Sequence, residues 1–231
     1  MKLYWSKTLL TLGPSLLQGI GVVIYVTLFG FLISLIIGLL LAIGRMSKNK
    51  ILNRILVLFV ELIRGTPLLV QFFYIYYVVP MLLDAFFLLF GMETGIQIKP
   101  VAAGIIGFGI NYGCYMSEVI RSAIMSIDQG QREAGLALGY SEGQVLFKFI
   151  IPPAIRNSIP VFGNYLVMMV KDTSLLAMIS VQELLLRTKT FASQTFLTVE
   201  AYTLLALVYL VISVPLSRVS VILEKKLKHT R

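Results

Sequence analysis

Residues 8–44 read TLLTLGPSLLQGIGVVIYVTLFGFLISLIIGLLLAIG, without one charged side chain. A membrane-crossing helix needs about 20 apolar residues, so this run is nearly two crossings long. Pro14 after Gly13 predicts a helix entry with proline at the first helical position, which sets the first span at about 15–43. A secretory signal peptide is the competing reading, because Lys2 and Lys7 precede apolar residues. The run far exceeds the roughly 7–15 apolar residues of such a segment, and no small-x-small cleavage site precedes the basic loop that follows.

The rest of the chain agrees. Of 231 residues 58% are hydrophobic and 13% charged, with mean hydropathy +0.88, whereas soluble domains carry about 25% charge. This excludes a soluble enzyme, a disordered tail and a nucleic-acid reader, and predicts an all-α integral membrane protein forming a single domain over 1–231. One Cys and one His leave no disulfide framework and almost nothing to hold a metal.

Four further spans are expected at about 55–79, 99–124, 160–179 and 198–223, with Pro80 to Gln97 as an external interfacial segment too short to cross. The net charge of +9 sits in clusters: Arg45, Lys48, Lys50 and Arg54 in one loop, Arg132, Lys148 and Arg156 near 128–153, and a tail from Glu224 to Arg231. The positive-inside rule puts these clusters in the cytoplasm, the N-terminus outside and the C-terminus inside. Lys2, Lys7, Arg187 and Lys189 oppose that orientation but are fewer. Trp5 and Tyr4 suit an interfacial aromatic belt.

Residues 128–153 spell two short helices around a corner. Asp128 is a helix N-cap, Gly139 a left-handed stop, Ser141 with Gln144 a second cap, and Pro152-Pro153 an end. Apolar Ala134, Leu136, Ala137, Leu138 and Tyr140 in a segment that should face water imply a partner.

Glu133-Ala134-Gly135-Leu-Ala-Leu-Gly139, followed by Phe149-Ile-Ile151-Pro152, resembles the EAA loop of ATP-binding-cassette importer permeases, departing at Gly135, Phe149 and Ile151 by small or apolar exchanges. Residues Glu61 to Gln71, Tyr115 to Arg121 and Lys171 to Leu175 resemble the polar amino acid uptake branch (histidine, glutamine or arginine type), and the likeness covers about 15–225. It implies a permease subunit without catalysis of its own, multi-pass in the plasma membrane of a prokaryote. Glu133, Ala134, Gly135, Leu138, Gly139 and Tyr140 would dock on a separate ATPase. A second permease subunit, as homo- or heterodimer, and an external amino-acid-binding protein would complete the assembly. ATP and Mg²⁺ would bind the ATPase, in keeping with the lack of a G-x-x-x-x-G-K-[ST] loop here; this chain would bind no cofactor.

Ionisable side chains at membrane depth cost several kcal/mol each and need partners or work. Glu61 with Arg64, and Glu118 with Arg121, are spaced i,i+3 and can pair on one helix face. Both pairs lie about seven residues from a cytoplasmic loop, about 10 Å deep, so cross-pairing into one network is equally open. Lys171 and Asp172 fall near the midplane and, being adjacent, face different directions; Asn164 shares a face with Lys171. Gly65, Thr66, Pro67, Asn111, Asp172, Thr173 and Ser174 are candidates for a zwitterion site, since a broken helix frees backbone groups for ammonium and carboxylate, with Asp172 leaning it toward cationic amino acids. The competing class is a self-sufficient ion-coupled carrier, which leaves the 128–153 segment unexplained.

Overall fold

The computed structural model describes residues 3–228; Lys2 and the 229–231 end of the basic tail lie outside them. Helices α1 (Trp5–Gly44), α2 (Lys50–Arg64), α3 (Leu68–Phe73), α4 (Val79–Leu88), α5 (Pro100–Met125), α6 (Gln129–Ala137), α7 (Glu142–Val145), α8 (Ile151–Asp172), α9 (Leu184–Thr195) and α10 (Thr198–Lys228) follow in order. Two π-helical turns, Tyr74–Val78 and Leu146–Ile150, and a 3₁₀ segment, Thr173–Ile179, join some of them without a break. Among the described residues four helical stretches are long and apolar enough to cross a bilayer: Trp5–Gly44, Leu68–Leu88, Glu142–Ile179 and Thr198–Ile222. The 26-residue α5 stands among them as the interior helix.

α1 is the spine. Leu12, Leu16 and Val23 pack with Leu184, Phe191, Ala201 and Leu205. Val26 packs with Phe72, Phe108, Met169 and Leu176. Ala42 closes the far end with Met116, Ile120, Val145, Ile150 and Ala154. Lipid tails are as apolar as leucine, so close fit rather than exclusion of water drives such packing. The α1–α5 seam shows this. A Cβ at Gly30 would lie 2.9 Å from Cβ of Phe108, and one at Gly38 would lie 2.9 Å from Cβ of Met116. Both contacts are offset by the same number of residues, so α1 and α5 run parallel with backbones nearly touching. Any larger residue at either glycine must push the helices apart.

Three boundaries differ from expectation. α1 starts at Trp5, ten residues before the expected 15, with Pro14 inside it. The early turns are fastened from elsewhere: the Tyr4 amide donates to Glu200 Oε1 at 2.8 Å, and the buried Leu12 and Leu16 anchor the turn that follows. The expected second span, 55–79, is cut at Gly65-Thr66-Pro67, and the crossing stretch is Leu68–Leu88. Pro80 therefore sits within the helix instead of opening an external segment. Likewise Pro152-Pro153 does not end a helix, and the chain is helical from Glu142 to Ile179. In both places a π turn lies directly ahead of proline, and its wider spiral gives the ring room against the preceding carbonyls.

Within 128–153 the local chemistry is realised. Asp128 Oδ1 accepts from the Gly130 amide at 2.6 Å. Gly139 has φ +84°, a left-handed value that favours glycine. Ser141 and Gln144 form a reciprocal capping box.

Candidate functional site

The cut in the α2–α3 stretch opens a cavity of about 440 Å³, lined by Arg64, Gly65, Thr66, Pro67, Asn111, Tyr112, Tyr115, Tyr165, Met168 and Asp172, with Leu68 at its edge. Pro67 takes extended φ/ψ and has no amide hydrogen, so α2 ends and α3 restarts in a new direction. Gln71 holds the cut open. Its Nε2 donates to the carbonyl of Ile63 at 2.6 Å, to that of Thr66 at 3.1 Å and to Thr66 Oγ1 at 2.9 Å. Its Oε1 accepts from Asn111 Nδ2 at 3.0 Å. The break is thus stitched by one carboxamide, which meets the need to satisfy freed backbone carbonyls away from water.

Opposite the break, Asp172 Oδ2 accepts from the Tyr112 hydroxyl at 2.7 Å. Tyr112 and Tyr165 rings lie 5.9 Å apart and Tyr115 and Tyr165 6.2 Å apart, so three tyrosines wall the cavity between Asp172 and Arg64. The Arg64 guanidinium lies 5.2 Å from the Tyr115 ring centre, a cation–π distance. Its Nη1 also lies 3.3 Å from Glu118 Oε1. The same carboxylate takes Arg45 Nη1 at 2.7 Å and Arg121 Nε at 3.5 Å. Three cations around one carboxylate leave two positive charges in excess beside the cavity, and the Nε atoms of Arg45 and Arg121 are buried without a hydrogen bond.

Of the residues expected to bind, Gly65, Thr66, Pro67, Asn111 and Asp172 come together around this cavity. Thr173 is buried behind it and donates to the Val170 carbonyl at 2.7 Å; Ser174 lies outside the lining. Of the expected charge network, Arg64, Glu118 and Arg121 meet. Glu61 is exposed, and its carboxylate makes no ion pair among the described residues. Lys171 is exposed with Asn164, Val161 and Met168 on a face of α8 that none of this chain's own helices covers. Sequence reasoning missed Arg45, assigned only to the basic loop, and Gln71 and the three tyrosines. A glutamine and aromatic residues at depth beside a Gly-x-Pro break were the signal for them.

In the 128–153 segment Glu133, Ala134, Leu138 and Gly139 are exposed. Gly135 is buried, where a Cβ would fall 2.9 Å from Val145 Cγ2, which explains a glycine where the resembled motif has alanine. The Tyr140 ring stacks edge-on against Phe149 at 5.2 Å.

Comparison with known proteins follows the same lines. The family described as "Binding-protein-dependent transport system inner membrane component" matches residues 34–229. The chain is 34% identical to the glutamine transport system permease protein GlnP of Escherichia coli K12 over 215 residues, covering 93% of this chain and 94% of that one. It is 35% identical to the L-cystine transport system permease protein TcyB of Bacillus subtilis over 224 residues, covering 96% and 91%. A crystal structure of an amino acid ABC transporter with histidines superimposes with TM-score 0.83 at 29% identity, covering 98% of this chain and all of that one.

Proposed function

This chain belongs to the binding-protein-dependent transport system inner membrane component family, and from that premise we propose that it carries a polar amino acid through the cavity between the Gly65–Pro67 break and Asp172. It is an amino acid ABC importer permease subunit, without catalysis of its own, and its family implies an ATPase and a substrate-binding protein as partners. The ion-coupled carrier is thereby left without support.

The observation that carries the reading is charge placement. Arg64 and Asp172 line one cavity, the arrangement needed to hold a carboxylate and an ammonium group, and Gly65-Thr66-Pro67 adds a helix break beside them. Tyrosine faces with a carboxylate also attract a cation, and this supports the lean toward cationic side chains. Thr173, Ser174 and Lys171 act from behind: the first two fix the segment after Asp172, and Lys171 faces a second permease subunit. Glu133, Ala134, Gly135, Leu138, Gly139 and Tyr140 form the ATPase contact, supported by their exposed apolar character and the left-handed corner at Gly139. ATP and Mg²⁺ stay on that partner. We place five spans, α5 being the fifth crossing helix alongside the four most apolar stretches, with the Arg45–Arg54 loop and the 128–153 segment in the cytoplasm of a prokaryote and the N-terminus outside.

The test is Asp172→Asn in the transporter reconstituted with its ATPase and binding protein, measuring arginine and glutamine uptake. We expect at least a tenfold loss for arginine and a smaller one for glutamine. Equal losses assign Asp172 to the α-ammonium group and remove the cationic lean; no loss for either removes the cavity as the pathway.

A further inference from the structure

α2 lies across the bundle rather than along it. Near its start, Asn53 Nδ2 donates to the Arg45 carbonyl at 2.7 Å. At its end, Arg64 reaches Glu118, the carboxylate that the Arg45 side chain also grips. Eleven residues of helix, roughly 16 Å at 1.5 Å each, therefore separate two contacts made at one level of α1 and α5. A helix climbing along the bundle would leave that level.

Its sides are sharply divided. Leu56 packs beside Gly44, and Val60 is buried with Leu41 and Cys114. On the far side Ile51, Ile55, Leu58 and Leu62, at helical spacing, are 72%, 59%, 59% and 59% exposed. Lys50 and Arg54 flank the start of this strip, are exposed and make no ion pair among the described residues. Glu61 is the single acid on the helix and sits toward its other end. Apolar residues in a row with unpaired cations beside them match an anionic phospholipid: acyl chains against the strip, headgroup phosphate at the cations.

We propose that α2 is an interfacial helix whose Ile51–Leu62 strip, with Lys50 and Arg54, docks anionic phospholipid of the leaflet at the 128–153 end. This rests on the orientation proposed above for calling that leaflet cytoplasmic, though not on transport. The helix that brings Arg64 to the cavity is thereby held at headgroup level.

Trp5 is the chain's single tryptophan, which allows a direct test. In a Trp5→Phe, Ile55→Trp chain, reconstituted with its ATPase into vesicles without substrate or ATP, tryptophan quenching by brominated phosphatidylglycerol is compared with quenching by brominated phosphatidylcholine. We expect about a fivefold preference for phosphatidylglycerol, from two basic groups at the surface. Lys50→Gln with Arg54→Gln should bring it to about one, and Lys50→Arg with Arg54→Lys should retain it. Equal quenching by both lipids overturns the proposal, as does a preference that survives the double neutralisation. Quenching by neither lipid means that protein covers Ile55, a second subunit or the ATPase, and overturns it too. Because no transport is measured, a chain inactive in uptake can still pass.

Discussion

Glu118 and Glu183 are both carboxylates withdrawn from water, and the protein holds them by opposite means. Glu118 sits among three arginines, with Arg45 at 2.7 Å and Arg64 at 3.3 Å. Glu183 is fully buried, and none of its hydrogen bonds comes from a guanidinium. It caps α9 by accepting from the Leu185 and Leu186 amides at 2.7 Å each, and from the Tyr209 hydroxyl at 3.3 Å. Guanidinium partners fix a carboxylate in its charged form and leave positive charge behind when it goes. Neutral donors tolerate either protonation state. The first arrangement suits a place where charge must persist beside a pathway; the second suits a joint that must stay closed.

The largest effect should come from removing Glu118. Glu118→Ala leaves three guanidinium groups without a counter-charge, and breaking a buried pair this way costs about 3–5 kcal/mol. At roughly 2–4 °C per kcal/mol for a chain of this size, thermal unfolding in detergent should come about 10 °C earlier, with uptake lost. The partner can then be identified by reversal. Glu118→Arg combined with Arg64→Glu should recover part of the uptake lost in each single variant, the recovery being limited because Arg45 is the nearer partner. A double variant no better than either single one shows that the pairing with Arg64 carries nothing.

Glu183 should respond to pH instead. It lies between the 3₁₀ segment and α9, outside the crossing stretches. Burial is the largest influence and pushes its carboxyl up to about 7, against the pull of the two amides, the Tyr209 hydroxyl and the Arg187 charge. The folded form then keeps a proton that the unfolded chain gives up near the ordinary glutamate value of about 4.3. The stability it contributes is complete below that value and is lost as pH rises toward 7. Melting in detergent should therefore fall by several degrees between pH 5 and pH 8, and Glu183→Gln should flatten that fall. An unchanged slope in the variant means another group titrates.

The difference between these two sites bears on what the sequence discloses. Crossing segments follow from apolar length, and α5, expected at 99–124, is a helix over Pro100–Met125. The corner at Gly139 and the Ser141 cap follow from residues a few positions apart. Spacing along one helix also put Glu118 beside Arg121, while Arg45 was hidden because its loop position explained its charge equally well and its reach back to Glu118 is tertiary. Gln71 and Tyr112 carry no charge and gained meaning only from what lies across from them. The helix ends at 15 and 152 were misjudged for a related reason: proline is a local signal, and a π turn ahead of it or a fastening such as Glu200 on Tyr4 overrides it.

Glu61 supplies the control, and the smallest effect. It is spaced from Arg64 as Glu118 is from Arg121, and on an isolated helix such a pair would contribute about 0.2–0.5 kcal/mol. Here Arg64 turns toward Glu118 and the Tyr115 ring, and Glu61 remains on the exposed edge of α2. Glu61→Gln should thus move the melting temperature by no more than about 2 °C, in keeping with surface exchanges within about 0.5 kcal/mol, and should change uptake less than twofold. It should also leave the pH slope set by Glu183 untouched. A loss approaching that of Glu118→Ala would mean that Glu61 meets a cation on another subunit, and equal spacing in the two Glu-x-x-Arg elements would then mark two working pairs rather than one.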